Sequence, residues 1–227
     1  RWNGVLDGSA FGSAPPQSRN PSLTGSRRRA PMDEDCLTLN VSAPLEQARD
    51  RLPVLVYFYG GAFSSGSSMV KTYRGAHLVQ TGEALYVSLN YRIGALGFMD
   101  FSSFSGPRRV FDSNLGLRDQ VAALEWVRDN IANFGGDPEN VTIFGESAGG
   151  ISVTSLMCIP AARGLFHRAY AQSAAPSSAY SPELHASWAR DLLQILNVPL
   201  SDAAEALSTL PASALVRATN HLTSKIG

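Results

Sequence analysis

The sequence predicts an α/β fold, a mainly parallel sheet with helices on both faces, and three observations carry that prediction. Two short continuous apolar runs, PVLVYFY at 53–59 and ALYVSLNY at 84–91, have the length and the Val and aromatic content of strands buried on both faces. A clear helical stripe follows them, and further strand-like segments follow the helix, so the connections must cross over and the strands must run parallel. The composition agrees: 227 residues, 44% hydrophobic and 17% charged, are enough for one domain with a sizeable core and too apolar for a disordered chain. Residues 1–227 are read as a single domain.

Residues 12–32 are rich in Ser, Pro, Gly and Arg and read as a surface loop, with Arg27, Arg28 and Arg29 as its solvated part rather than a nucleic-acid patch. Leu37, Leu39 and Val41 alternate with polar residues, which makes a half-buried strand that Pro44 ends. After the two buried strands, Leu117, Val121, Leu124, Val127 and Ile131 recur at steps of three or four and form one helical stripe. Ser113 or Asn114 can cap its start, and Gly135, Gly136 and Pro138 stop it. VTIFG at 141–145 is a strand, 148–156 a helix opened by small residues, and RAYAQS at 168–173 one more strand. Beyond Pro182 the chain turns helical, with Trp188, Leu192 and Ile195 on one face.

Charge and cysteine content exclude several function classes. Nineteen Lys+Arg balance nineteen Asp+Glu, so there is no electrostatic basis for nucleic acid or an anionic membrane as partner. No apolar run approaches the roughly 18 residues of a transmembrane helix. Two cysteines cannot build a disulfide scaffold or a four-thiolate zinc site. No metal motif, nucleotide-binding glycine loop or cofactor lysine is visible, and chemistry without a cofactor or metal is expected. No targeting segment is visible before Trp2, and both ends read as cut.

The chemistry is carried by Gly145-Glu146-Ser147-Ala148-Gly149, which fits the G-x-S-x-G nucleophile pattern. The pentapeptide alone is a weak signal, because Gly and Ser are common in turns. Its context is what counts: a strand runs into it and a helix of small residues runs out. Glycines on either side let neighbouring backbone approach while Ser147 occupies a sharp, strained turn. A second feature has the matching chemistry. Gly60-Gly61-Ala62-Phe63 directly follows the strand at 53–59, and backbone N–H groups in such a small-residue loop can receive the oxyanion of acyl transfer. An ordinary glycine turn is the competing reading of each segment taken alone.

With these residues in view, the sequence resembles the type-B carboxylesterases of the α/β-hydrolase fold, the family that includes the cholinesterases. The resemblance runs through RWNGVLD, EDCLTLNV, YGGAF, NYRIGALGF, the long block 114–150 and GLFHRAYAQS. It implies an α/β-hydrolase domain whose nucleophile is Ser147 and whose oxyanion hole is formed by the N–H groups of Gly61, Ala62 and Ala148. Glu146 would be a carboxylate that orders the site without belonging to the triad. The implied activity is hydrolysis of a small-molecule carboxylic ester through an acyl-enzyme. A non-catalytic adhesion module of the same fold and an inert fragment are the alternatives.

Three departures qualify the resemblance. Family members are about twice as long, with a triad acid and histidine well beyond the nucleophile, whereas Gly227 lies 80 residues past Ser147. The fold is therefore expected to be truncated after the nucleophile half, with acid and histidine outside this chain. Cys36 lacks the earlier cysteine with which the family pairs it, and Cys158 reads as a small core residue. No aromatic residue stands between Ser18 and Cys36 where cholinesterases place a choline-stacking Trp, so a general esterase is expected.

None of the four histidines supplies the base convincingly. His77 precedes the nucleophile, His167 reads as a packed structural residue, and His185 is expected to be exposed at a helix start. His221 is the remaining candidate in chain order, after Asp191, Asp202 or Glu205 as acid, yet it falls in an amphipathic helical run rather than on a loop. Little turnover is expected of this chain alone. The last strand should also present an unpaired, association-prone edge.

Overall fold

The computed structural model describes residues 4, 7–19, 31–46, 50–107 and 109–226, with side chains in the last helix as far as Ser224. The Arg27–Arg29 run falls outside the described residues. Five strands form one sheet: β1 (Leu39–Ser42), β2 (Leu52–Phe58), β3 (Leu85–Leu89), β4 (Gly136–Glu146) and β5 (Arg168–Gln172). Their spatial order is β1-β3-β2-β4-β5. Only β1 runs antiparallel, against β3; β2 pairs in parallel with both β3 and β4, and β4 in parallel with β5. The helices are α1 (Ala76–Val79), α2 (Ala95–Phe98), α3 (Leu115–Asn130), α4 (Ala148–Cys158), α5 (Pro182–Ile195), α6 (Ala203–Thr209) and α7 (Ala212–Ile226).

The continuous apolar runs became the central strands because both faces of a parallel sheet must be covered. Every residue of β3 is buried, and Val56 of β2 stands opposite Val87 on one side and Ile143 on the other. Val121, Leu124, Val127 and Ile131 of the α3 stripe join that core. A second apolar cluster unites α2, α5 and α7 through Ala95, Ala189, Leu192, Leu215, Ala218 and Leu222, with Trp188 and Ile195 packed against it.

The structure differs from the sequence expectations in six places. The expected surface loop 12–32 is buried in part, at Ala14, Pro15 and Gln17. β1 starts only at Leu39; Leu37 lies outside it and is 52% exposed. β4 is longer than expected and begins at Gly136, so Pro138 sits inside it, next to the register shift opposite Leu52 and Val54 where a missing N–H is tolerated. The Asn114 side chain makes no cap bond; the residue is there for its left-handed backbone, φ 54°. Cys158 is exposed at the end of α4 instead of buried in the core. His185 is half-buried against Tyr180 and Trp188 instead of exposed.

The two sheet edges are unlike each other. β1 is half-buried along its length. β5 hydrogen-bonds to β4 alone among the described strands, and all five of its residues are exposed, Tyr170 at 59%. β5 is thus the unpaired parallel edge expected from sequence, open on both faces. Among the described residues no helix is long and apolar enough to cross a membrane.

Candidate active site

Sheet topology places the site. The chain leaves β2 toward β3 on one side and leaves β4 toward β5 on the other. Right-handed crossovers send these two connections to opposite faces, which opens a crevice at the carboxyl ends of β2 and β4. The two segments singled out in the sequence emerge there, side by side: Phe58 is in register with Gly145.

After β4 the chain turns sharply at Ser147, which has φ 57° and ψ −123° and heads α4. That conformation is costly for a residue with a Cβ, on the order of 1–3 kcal/mol, and persists only where the surroundings enforce it. The Ser147 N–H donates to the Gln172 carbonyl of β5 at 2.9 Å, and its own carbonyl accepts from the Ile151 N–H at 2.9 Å. Gly145 and Gly149 face each other across the turn, and both lie against the Phe58 carbonyl; a methyl group on either would overlap backbone. Ser147 itself is half-buried and Ala148 buried.

After β2 the chain takes three successive positive φ values, 120° at Gly61, 52° at Ala62 and 55° at Phe63. Two of these residues carry a Cβ, so this loop too is held in place by its contacts. The Gly61 carbonyl is turned inward, accepting from the Ser64 and Ser65 N–H groups at 3.0 Å each and from both hydroxyls. The Phe63 carbonyl accepts from the Gly94 N–H at 2.6 Å, and the Phe63 ring packs on Phe98, 4.4 Å between centroids. Loop and elbow touch directly: a methyl on Gly60 would stand 2.6 Å from the Glu146 carbonyl oxygen and 3.2 Å from the Ser147 Cβ. The N–H groups of Gly61, Ala62 and Ala148 have no acceptor among the described residues. The Gly60 loop and the elbow thus bring unused N–H donors and a serine hydroxyl to adjoining segments, the parts that acyl transfer to serine would need.

Glu146 is exposed, and its carboxylate, beside Gly60, makes no hydrogen bond or ion pair among the described residues. Beneath the crevice the frame is polar and buried. Tyr59 and Tyr91 stack at 4.4 Å and exchange bonds, each hydroxyl donating to the other's carbonyl at 3.1 and 2.6 Å. Their burial pushes both phenols up. Arg92 donates through its N–H, Nε and Nη2 to Asp119 of α3 at 2.7 to 3.0 Å. Gln120 donates to the Ser152 hydroxyl, which donates to the Ala148 carbonyl, both at 3.0 Å, so α3 braces the first turn of α4. Burial, with Asp119 nearby, pushes the Cys36 thiol up to about 11. The sequence signal for this frame was Asp119-Gln120, a polar pair beside an apolar stripe, which a reading of apolar periodicity passes over.

The histidines do not join the site. His167 precedes β5; its Nδ1 accepts from the Val141 N–H at 3.2 Å, the structural role expected of it. His77 lies in α1 and is exposed. His185 packs on aromatic rings of α5 and its approach. His221 is exposed on α7, whose partners are α2 and α5, and its ring makes no hydrogen bond or ion pair among the described residues. Among those residues no three His, Cys, Asp or Glu side chains converge to hold a metal ion.

A family model described as the carboxylesterase family matches residues 1–226. Para-nitrobenzyl esterase of Bacillus subtilis (strain 168) is 43% identical over 221 residues, 97% of this chain and 44% of that protein. Phenmedipham hydrolase of Pseudarthrobacter oxydans is 42% identical over 175 residues, 76% of this chain and 34% of the relative. The solved structure of a thermophilic PNB esterase superposes with a TM-score of 0.86 at 42% identity, covering 96% of this chain and 44% of its own. The chain thus spans less than half the length of these relatives.

Proposed function

The chain belongs to the carboxylesterase family, and from that premise we propose that residues 1–227 are part of one α/β-hydrolase domain that cleaves small carboxylic esters through an acyl-enzyme on Ser147. The observation that carries this reading is the meeting of the strained Ser147 elbow with three unused N–H donors, those of Gly61, Ala62 and Ala148. In the reaction the Ser147 oxygen bonds to the ester carbonyl carbon and its proton passes to a base. The carbonyl oxygen becomes an oxyanion held by the three N–H groups. Collapse expels the alcohol, which takes up the proton, and water then releases the acid and restores the hydroxyl. Glu146, with its carboxylate beside Gly60, is assigned an ordering role outside the triad.

The base and its acid are assigned to the part of the relatives' length that this chain does not span. The positions of His77, His167, His185 and His221 support that assignment, because none hydrogen-bonds to Ser147. A serine without a base keeps only the contribution of the oxyanion hole and binding, about 10³ to 10⁴ over water. Turnover of p-nitrophenyl acetate by the 227-residue chain should fall within that range. An aryl fluorophosphonate should add slowly to Ser147 in the same chain, seen by intact mass and peptide mapping, and leave Ser147→Ala unmodified. Equal modification of the two proteins would remove Ser147 as the nucleophile.

A further inference from the structure

We infer that Gln17 is a positioning residue for the oxyanion loop: its buried side-chain amide clamps Gly66 and so holds Gly61 and Ala62 in their strained, donor-presenting conformation. The inference rests on the reading of those two N–H groups as oxyanion donors.

Gln17 comes from the N-terminal segment, 49 positions before Gly66, and is 6% exposed. Its Oε1 accepts from the Gly66 N–H at 2.8 Å, and its Nε2 donates to the Gly66 carbonyl at 2.7 Å. One side-chain amide thus satisfies both backbone groups of one residue, as a neighbouring strand would. The second Nε2 proton goes to the Pro15 carbonyl at 3.0 Å, which fixes the amide orientation. The segment itself is anchored, since Asn90 Nδ2 donates to the Ser13 carbonyl at 3.0 Å.

Gly66 is the far end of the loop that starts at Gly60. It has φ 125° and lies flat against the Tyr59 ring, where no side chain fits. Between these ends stand the positive φ values of Ala62 and Phe63, each on the order of 1–3 kcal/mol above relaxed backbone. Without a fixed far end the loop can relax by letting Ala62 and Phe63 return to negative φ, which would turn the N–H groups away from Ser147. The near end is fixed by packing on the elbow and the middle by Gly94. Gln17 alone supplies side-chain hydrogen bonds to Gly66 itself among the described residues; two residues on, Asn90 Oδ1 accepts from the Ser68 N–H at 2.9 Å.

The test uses the 227-residue chain with Gln17→Leu, which removes the clamp, and Gln17→Glu, which makes it depend on pH. In its protonated form the carboxyl group of the Gln17→Glu variant reproduces the amide, accepting from the Gly66 N–H and donating to its carbonyl. Once ionised, it would face the carbonyl oxygens of Pro15 and Gly66 with no proton to donate. The small cavity beside this position, lined by Ser64, Ile93, Leu96, Leu215 and Thr219, offers no charged partner. Two readouts are compared with wild type at each pH: the amide ¹H–¹⁵N signals of Gly61 and Ala62, and the rate of fluorophosphonate addition to Ser147.

Gln17→Leu should shift or broaden both amide signals and slow addition about tenfold, less than the ~10² to 10³ lost with an oxyanion donor itself. Gln17→Glu should match wild type near pH 5 and Gln17→Leu near pH 8, reversibly, a pattern that misfolding does not produce. Unmoved Gly61 and Ala62 signals would overturn the clamp. Moved signals with an unchanged addition rate would overturn its positioning role. A wild-type chain that gives no adduct would count against the Ser147 reading, and the amide signals would still decide the clamp.

Discussion

The crevice at the carboxyl ends of β2 and β4 and the helical face built by α2, α5 and α7 store backbone strain very differently. Described non-glycine residues with positive φ fall into two groups. Asn114 and Asn197 sit at helix ends, where a short polar side chain makes the left-handed conformation cheap. Ala62, Phe63, Ser147 and Ser173 follow the ends of β2, β4 and β5, and nothing about their side chains favours it. The helical face around α7 is an ordinary amphipathic packing with its apolar stripe inward. Strain that the local sequence does not favour has to be enforced by tertiary contacts, and it collects where chemistry is proposed. The comparison predicts that small changes in the crevice cost much and that His221 on the helical face costs nothing.

Gly149→Ala should have the largest effect. In a free helix the change would help by about 1 kcal/mol. Here the new methyl overlaps the Phe58 carbonyl, a backbone atom of the central strand that cannot swing aside. We expect a net loss of about 3 kcal/mol, of the size that overpacking produces, read as a lower urea midpoint. Separation of α4 from β2 should also slow fluorophosphonate addition to Ser147. An unchanged midpoint would mean that the crevice is not close-packed and would break the comparison.

Asp119→Ala comes next. The carboxylate accepts three bonds from Arg92 and its side chain is 5% exposed, while Arg92 is one-third exposed and can recover some water. The loss should therefore be about 2 kcal/mol, below the full cost of orphaning a buried charge. Asp119→Asn should restore part of it by accepting one of the three bonds. If urea unfolding ranks the two variants equally, the charge rather than the bonds holds Arg92.

These sites also show how much was legible beforehand. Continuous apolar runs identified β2 and β3, and G-x-S-x-G between a strand and small residues identified the elbow, because both patterns are local. The extent of β4 was not legible, since Pro138 reads as a breaker unless the register shift beside Leu52 is known. Gln17 lay in a Pro- and Ser-rich loop with nothing to mark it, and its partner Gly66 is 49 positions away. Cys158 was misplaced because it falls on the outward side of the last turn of α4, where Leu156 is buried in the core but Met157 and Cys158 are exposed. Non-local contacts fixed each of these features, and one-dimensional patterns do not record them.

The two cysteines sharpen the comparison more gently. Cys36 is buried with its thiol raised from 9.0 to about 11, chiefly by burial and then by Asp119, whereas Cys158 is exposed. A disulfide reagent at pH 8 should titrate one thiol in the folded chain and two in urea. The raised thiol also has a sign. Below pH 9 it is protonated whether folded or unfolded and has no effect, but between 9 and 11 only the unfolded chain releases its proton. Stability should therefore fall as pH rises through that window, and Cys36→Ser should flatten the fall. Two reactive thiols at pH 8 would show that the region beneath the crevice opens readily.

His221→Ala should change least, and that is its value. The ring is exposed on α7, among residues in relaxed helical geometry, and has no hydrogen-bonding partner among the described residues. A general base must come within about 3 Å of the hydroxyl it activates, which calls for a loop able to bring the ring there. The substitution should leave both the unfolding midpoint and the rate of Ser147 modification unchanged. A loss of reactivity equal to that of Ser147→Ala would instead make His221 the base. It would require α7 to leave its packing against α2 and α5 during the reaction, and the relaxed face would then share in the chemistry of the strained one.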